Sequence, residues 1–235
     1  MRSSVLWSMI HTERQRLYDQ TRSLTAEQWQ MRALVGSWTL EQTVAHLAAG
    51  AEQSIAAWLR SVFSARFDFE LHKERGVVTR LGATPTETAA RYERAIHNRR
   101  RAAGPLMAGL GEVLIHGEEI RRPVGIPSRV PPHTAAAALR WFARHDFTEY
   151  SRSRAHGLRL IADDAGTEIG HGAEVRGSAL ALLLALAGRP VHPGELRGPG
   201  VAILTDRGGA GSFVSSLRSS SGSASADGCR HDNRR

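Results

Sequence analysis

The first 150 residues carry apolar side chains at helical spacing. Leu6, Ile10 and Leu17 fall on one stripe, and Thr39 with Gln42 has the spacing of a capping box at a helix start. A Thr-Pro-Thr-Glu run at 84–87 is a further start signal, with a cap, an early proline and an acid. The pattern predicts five helices in this part of the chain, over residues 3–23, 39–63, 84–101, 106–122 and 132–144.

The pattern changes after residue 155. Alternating apolar residues predict strands at 156–162 and 200–205, and an Ala/Leu-rich stretch predicts a helix at 174–187. The expected fold class is therefore mainly α plus α/β, a helical bundle followed by a small α/β domain. The expected divisions are a bundle at 1–150, a linker at 151–154, the α/β domain at 155–207 and a disordered Ser/Gly/Arg-rich tail at 208–235.

Composition excludes several classes of protein. With 41% hydrophobic and 23% charged residues in 235, the chain is typical of globular proteins and not of a disordered or collagen-like one. Its longest apolar stretch, 179–187, is far shorter than the roughly 20 residues that span a bilayer. The N-terminus lacks a secretory apolar region, and a single cysteine, Cys229, allows no internal disulfide. We expect a cytoplasmic protein without a membrane partner.

The net charge of +8 does not by itself indicate a binding partner. All the cations except Lys73 are arginines, and clusters at 97–101 and 121–122 lie at predicted helix ends, where solvated charges are ordinary. Because no aromatic residues are interleaved with them and no recognition-helix pattern is present, nucleic acid is not expected as a partner. The sequence leaves the oligomeric state open.

The segment from 106 to 122 holds the strongest chemical signal. Glu112, His116 and Glu119 fall within about 60° of one another on a helix, on a face flanked by apolar residues. Such a Glu/His pair at i,i+4 is most often an ordinary surface pair, but it also presents one oxygen and one imidazole nitrogen to a single cation.

A third ligand would have to come from another helix, and His46 is the candidate. It lies off the apolar stripe of its helix, between the small residues Thr43 and Gly50. A lone histidine at such a boundary is more often structural or exposed. Two histidines and one carboxylate nevertheless form a common catalytic set that leaves positions open for water or substrate. Spacing does not distinguish zinc from iron or nickel.

Two segments also carry a family resemblance. Residues 37–47 read SWTLEQTVAHL, and residues 111–123 read GEVLIHGEEIRRP. They resemble the two signatures of the mycothiol-dependent maleylpyruvate isomerase family, part of the wider DinB-like group, although Glu119 stands where aspartate is commoner. Residues 174–206 are similar to the family's C-terminal domain, so the resemblance covers about residues 5–206.

The resemblance implies a DinB-like four-helix bundle with a C-terminal domain similar to sterol-carrier proteins. It implies a divalent metal, typically zinc, on His46, Glu112 and His116. It also implies a catalytic arginine from the C-terminal domain, for which Arg189 is the best match and Arg176 a weaker one. Mycothiol would be the thiol cosubstrate, adding to an activated cis double bond and leaving after rotation in the adduct.

These observations support a metal-dependent isomerase or transferase that uses mycothiol on a small electrophile. The alternative is a non-catalytic metal- or ligand-binding stress protein on the same scaffold, since a fold by itself does not define a reaction. The physiological substrate is not readable from the sequence.

Overall fold

The computed structural model describes residues 1–147 and 149–208, which form a mainly helical molecule with a small sheet on its C-terminal side. The helices in this range are α1 (Ser3–Thr21), α2 (Ala26–Trp29), α3 (Leu40–Glu52), α4 (Ile55–Ser64), α5 (Phe69–Val78), α6 (Pro85–Ala95), α7 (Leu106–Arg121), α8 (Pro132–Phe142), α9 (Ser151–Ala155), α10 (Ala179–Leu186) and α11 (Gly200–Arg207). The strands are β1 (Leu158–Ala162), β2 (Thr167–Gly170), β3 (Ala173–Gly177) and β4 (Leu196–Arg197).

Four of these helices form the bundle that the sequence predicts. Helix α1 packs on α6 and α7, and α3 packs on the same two helices from the other side, which closes a ring of four. Leu17, Leu40, Val44 and Ile120 are buried at its centre. Helix α8 packs outside this ring against α7. The expected fold class, a helical bundle followed by a small α/β unit, is confirmed.

The predicted long helix over 39–63 is wrong, because the chain breaks it in the middle. Gln53 adopts an extended backbone conformation, and the Ser54 side chain accepts a hydrogen bond from the Ala57 amide. That cap satisfies an orphan donor and starts a new helix, α4, although the apolar spacing continues across the break. Helix α5, capped by Asp68, was not predicted, and α6 ends several residues before 101.

The sheet has the strand order β2-β1-β3-β4. Strand β1 is antiparallel to β2, in a hairpin, and parallel to β3 on its other side, while β4 adds a short antiparallel edge. Helix α10 is buried almost throughout and packs between this sheet and α8. The predicted strand at 156–162 is confirmed as β1.

In this region one sequence prediction is wrong at its start, and another is wrong throughout. The predicted helix over 174–187 begins as strand β3, and helix α10 starts only where the Ser178 hydroxyl accepts a hydrogen bond from the Ala181 amide. The predicted strand at 200–205 is helix α11, which buries Gly200 and Leu204, one helical turn apart, against β3. Its β-branched residues suggested a strand, but packing on the sheet determines the conformation.

One apolar core runs through both the helical part and the sheet. It links α1, α7 and α8 to β1, β3 and α10, with Ile10, Leu114, Leu139, Leu160 and Leu183 among its buried members. The segment predicted as a linker, 151–154, lies in the short helix α9. The domain boundary there stays a prediction, and most of the predicted tail, with Cys229, lies outside the described residues.

The described helices were also compared with the dimensions of a bilayer. In residues 1–147 and 149–208, no helix combines the length and apolar character that crossing a membrane requires.

Candidate metal centre

The first residue of the site, His46, is presented by α3. A reciprocal capping box between Thr39 and Gln42 fixes the start of this helix, so His46 lies in its second turn, facing α7. The indole of Trp38, in the loop just before the cap, lies against the His46 imidazole with ring centroids 5.0 Å apart. That loop is tied to α7 by a hydrogen bond from the Leu34 amide to a backbone carbonyl.

The other two predicted ligands, Glu112 and His116, project from successive turns of α7. Oε2 of Glu112 lies 3.3 Å from Nε2 of His116 and 3.4 Å from Nε2 of His46. The three side chains offer one ligand atom each, and all three atoms lie within 4.8 Å of one another. The structure therefore brings together the three predicted ligands, which lie on two separate helices.

The spacing of these atoms fits a divalent metal ion. In a tetrahedral site with ligand distances of about 2.0–2.1 Å, neighbouring ligand atoms are about 3.3–3.4 Å apart, which matches the two Glu112 distances. The side chains of His46 and His116 are 17% and 15% exposed, whereas that of Glu112 is 39% exposed. The two histidine side chains are therefore mostly shielded from solvent, whereas the carboxylate of Glu112 is accessible. Further ligands could enter on the side of Glu112.

A fourth side chain, Glu119, supports the site from behind. Nδ1 of His116 lies 2.6 Å from Oε2 of Glu119, on the ring edge opposite the Glu112 contact. Oε1 of the same carboxylate accepts a hydrogen bond from Nε of Arg189, at 2.7 Å. Arg189 also donates from Nη1 to Glu149, at 2.7 Å. These contacts join the candidate metal centre in the bundle to the segment that follows α10.

The local charges bias the protonation of these groups in the metal-free protein. Burial disfavours the imidazolium of His116, but hydrogen bonds and charges from Glu112 and Glu119 outweigh it and raise its pKa to about 10. Desolvation also opposes ionisation of Glu112, yet the two histidines hold its pKa well below its usual value. The pKa of Glu119 is likewise lowered, against burial, by His116 and Arg189. The site is thus arranged to hold positive charge.

The two arginines that the sequence left as alternatives lie in different places. Arg189 is linked to the candidate metal centre through Glu119, and it donates hydrogen bonds from Nε and Nη1. Arg176 lies on β3 and forms ion pairs with Asp163 and Glu174. Of the two, the structure therefore brings Arg189 to the site.

Two contributions were missed by sequence reasoning. The helical strip of Glu112, His116 and Glu119 was recognised, but Glu119 was given no role, although its i,i+3 spacing from His116 was a usable signal. No local pattern pointed to His72, whose Nδ1 lies 2.8 Å from the Ser61 hydroxyl. Burial first, then the charges of His46 and Lys73, lower the pKa of His72.

No family model matches the chain, and no curated protein matches it. Two solved structures are similar to it: the crystal structure of the mycothiol-dependent maleylpyruvate isomerase, with a TM-score of 0.54, and that of a histidine-to-alanine mutant of it, with a TM-score of 0.53. Each is 15% identical to this chain, and each match covers 85% of this chain and 93% of the other.

The fold and the site together define a helical-bundle protein with a small C-terminal sheet and a His-Glu-His cluster suited to a metal ion. At 15% identity, the likeness establishes that the chain has the fold of the mycothiol-dependent maleylpyruvate isomerase structures. The resemblance found in the sequence is thereby confirmed at the level of the fold.

Proposed function

We propose that this protein is a metal-dependent enzyme that uses mycothiol to isomerise or conjugate a small electrophilic substrate. The observation that carries the proposal is the His46, Glu112 and His116 cluster, with ligand-atom spacing suited to a divalent ion, in the fold of a mycothiol-dependent isomerase. Zinc is the proposed ion, because two imidazoles and one carboxylate with an open side form a typical catalytic zinc set. The proposed location is the cytoplasm.

Different residues would bind the metal ion, limit the access of water and border the entry side of the site. His46, Glu112 and His116 would hold the ion, which when bound supplies the Lewis acidity that favours the thiolate form of a thiol. Trp38, packed against His46, would limit the approach of water from the side of α3. The exposed edge of Glu112 marks the side from which thiol and electrophile would enter.

Arg189 is the proposed group for substrate charge. In the described part of the chain its hydrogen bonds use Nε and Nη1, so Nη2 is available for an incoming carboxylate or enolate. Glu119 and Glu149 would hold the guanidinium in place, so that Nη2 has a fixed position beside the proposed ion. This arrangement favours small anionic electrophiles.

The first experiment measures metal content. The protein is purified without added metal, reconstituted with Zn²⁺, and compared with a His46→Ala/His116→Ala double variant by elemental analysis. We expect about one ion per chain in the wild type and none in the variant. A matched His133→Ala/His171→Ala variant, which removes two exposed histidines, should retain the ion. Absence of metal from the reconstituted wild type would refute the proposed site.

The second experiment distinguishes an enzyme from a non-catalytic metal-binding protein. Cobalt-substituted protein is titrated with mycothiol, and the sulfur-to-cobalt charge-transfer absorption is recorded before maleylpyruvate and other small electrophiles are added. The proposal predicts a thiol-dependent band and turnover that is lost in Arg189→Met. A metallated protein that binds no thiol would instead support the alternative of a non-catalytic stress protein.

A further inference from the structure

The Glu119 carboxylate has two partners that belong to different parts of the molecule. Its Oε2 lies 2.6 Å from Nδ1 of His116 in α7, and its Oε1 lies 2.7 Å from Nε of Arg189 beyond α10. The Glu119 side chain is only 6% exposed, so both contacts are sheltered from water. A charge-assisted hydrogen bond is stronger in such a place than on the surface.

The contact with His116 determines which ring nitrogen is free. When Nδ1 carries its hydrogen toward Glu119, Nε2 has its lone pair pointing to the Glu112 and His46 ligand atoms. Carboxylates that hold a metal-binding histidine in this way fix its tautomer and ring orientation. Glu119 therefore prepares His116 for a cation.

The backbone that follows α10 fixes the position from which Arg189 contacts Glu119. Gly188, at a φ of 73°, ends α10 in the left-handed conformation, and the Arg189 amide donates to the Leu184 carbonyl at 2.8 Å. Arg189 also donates from Nη1 to the Ala187 carbonyl at 2.6 Å. The guanidinium thus approaches Glu119 from a defined position and not from a free loop.

The geometry points to Glu119 as a positioning residue through which the segment after α10 controls the metal affinity of the helical bundle, and this inference rests on the proposed metal site. One carboxylate oxygen orients His116, and Arg189 donates to the other oxygen and thereby fixes the orientation of the carboxylate. Binding equilibria are reciprocal, so an ion on His46, Glu112 and His116 should in turn strengthen the Glu119–Arg189 contact.

Replacement of Glu119 by glutamine gives a sharp test because the two side chains have the same shape. An amide offers one acceptor oxygen and one donor NH₂, so it cannot accept from both His116 and Arg189. In Glu119→Gln one of these contacts becomes donor against donor. We expect Glu119→Gln to bind Zn²⁺ about 10- to 100-fold more weakly. This is the usual loss of metal affinity when a residue that hydrogen-bonds to a metal ligand is replaced.

The double-variant comparison tests whether Arg189 acts through Glu119. Zn²⁺ dissociation constants are measured by competition with a chromophoric chelator for wild type, Glu119→Gln, Arg189→Met and the combined variant. Arg189→Met should weaken binding by a smaller factor than Glu119→Gln, and it should add nothing in the Glu119→Gln background. Arg189→Lys keeps the positive charge and should recover part of the Zn²⁺ affinity that Arg189→Met loses. It also serves as the test variant if Arg189→Met folds poorly.

Controls separate this effect from net charge and from general stability. Glu168→Gln and Arg159→Met make the same charge changes in an exposed ion pair between β1 and β2, and they should leave the Zn²⁺ affinity unchanged. Long-range ¹H–¹⁵N correlations of the Zn²⁺-loaded protein should show the His116 ring hydrogen on Nδ1 in the wild type, and this signal should change in Glu119→Gln. A purely structural role would not produce that change in the His116 signals.

Each result bears on one hypothesis. If the wild type binds Zn²⁺ and Glu119→Gln binds it equally tightly, the positioning role is refuted while the proposed metal site stands. If Arg189→Met weakens binding equally with and without Glu119, Arg189 acts independently and the coupling is refuted. If the wild type binds no Zn²⁺, the metal site itself fails, and this outcome is distinguishable from the other two.

Discussion

At the scale of single residues, Tyr92 stands out in the core of the bundle. Its side chain is 1% exposed, and its hydroxyl has no hydrogen-bond partner in the described residues. One carboxylate oxygen of Glu13 and one guanidinium nitrogen of Arg121 are also buried without partners there. A buried unpaired polar atom costs free energy that a partner would recover. The bundle therefore holds buried, unpaired polar atoms whose cost to folding can be measured.

Tyr92→Phe removes only the unpaired hydroxyl. We expect the free energy of unfolding, from urea denaturation near neutral pH, to be unchanged or to rise by about 1 kcal/mol. The exposed Tyr150→Phe is the matched control and should have no effect. A loss of stability in Tyr92→Phe would show that the hydroxyl has a partner, such as an internal water bridging it to Glu13 or Arg121.

Tyr92 also leads to a prediction at alkaline pH. Burial, more than any neighbouring charge, raises its pKa well above the usual value of about 10. Above pH 10 the unfolded chain therefore loses this proton while the folded chain keeps it, so ionisation of Tyr92 lowers the free energy of unfolding as pH rises. Wild type should lose up to about 1.4 kcal/mol more per pH unit than Tyr92→Phe between pH 10 and 11. Parallel stability profiles of the two proteins would contradict this.

At the scale of secondary-structure elements, helix α7 connects the candidate site to its neighbouring helices. It carries two proposed ligands and packs against α1, α3 and α8. Gly111, one residue before Glu112, meets the buried Phe142 ring of α8 so closely that an added Cβ would overlap the ring. By contrast, a Cβ on Gly50 of α3 would have no heavy atom within 4 Å. The same substitution should thus have opposite effects in the two helices.

We expect Gly111→Ala to lower the free energy of unfolding by about 1–2 kcal/mol, because overpacking outweighs the gain in helix propensity. Gly50→Ala should raise it by about 0.5–1 kcal/mol, through the reduced entropy of the unfolded chain. Urea denaturation of the metal-free protein would measure both changes. Equal effects of the two substitutions would show that the α7–α8 contact relaxes at little cost.

The sequence predicted those elements whose signals are local. Thr39 and Thr84 marked true helix starts, and α7 was found together with its Glu/His pair. The errors occurred where a cap or a tertiary contact overrides the apolar pattern: Ser54 breaks the long helix, and packing on β3 makes residues 200–207 helical. The contact of Arg189 with Glu119 joins residues 70 positions apart, so no local pattern could reveal it.

At the scale of the whole molecule, the helical part and the sheet share a core. Leu139 of α8 is fully buried, and α8 packs against α7 on one side and α10 on the other. Two ion pairs also connect the helical part to the C-terminal part. Arg189 pairs with Glu119, and Arg122 forms a bidentate pair with Glu195. Because apolar and charged contacts coincide, opening either part exposes surface of the other. We therefore expect the two parts to unfold together.

Leu139→Ala tests this expectation. The lost side chain leaves a cavity and should lower the free energy of unfolding by about 2–5 kcal/mol. In native-state hydrogen exchange, the slowest amides of α7 and of β3 should lose protection by the same amount, since both open through the shared core. Ile203→Ala, at a partly exposed position of α11, should have a much smaller effect. Loss of protection confined to β3 would mean that the sheet opens independently, and the Glu119–Arg189 contact would then have to act across a separable junction.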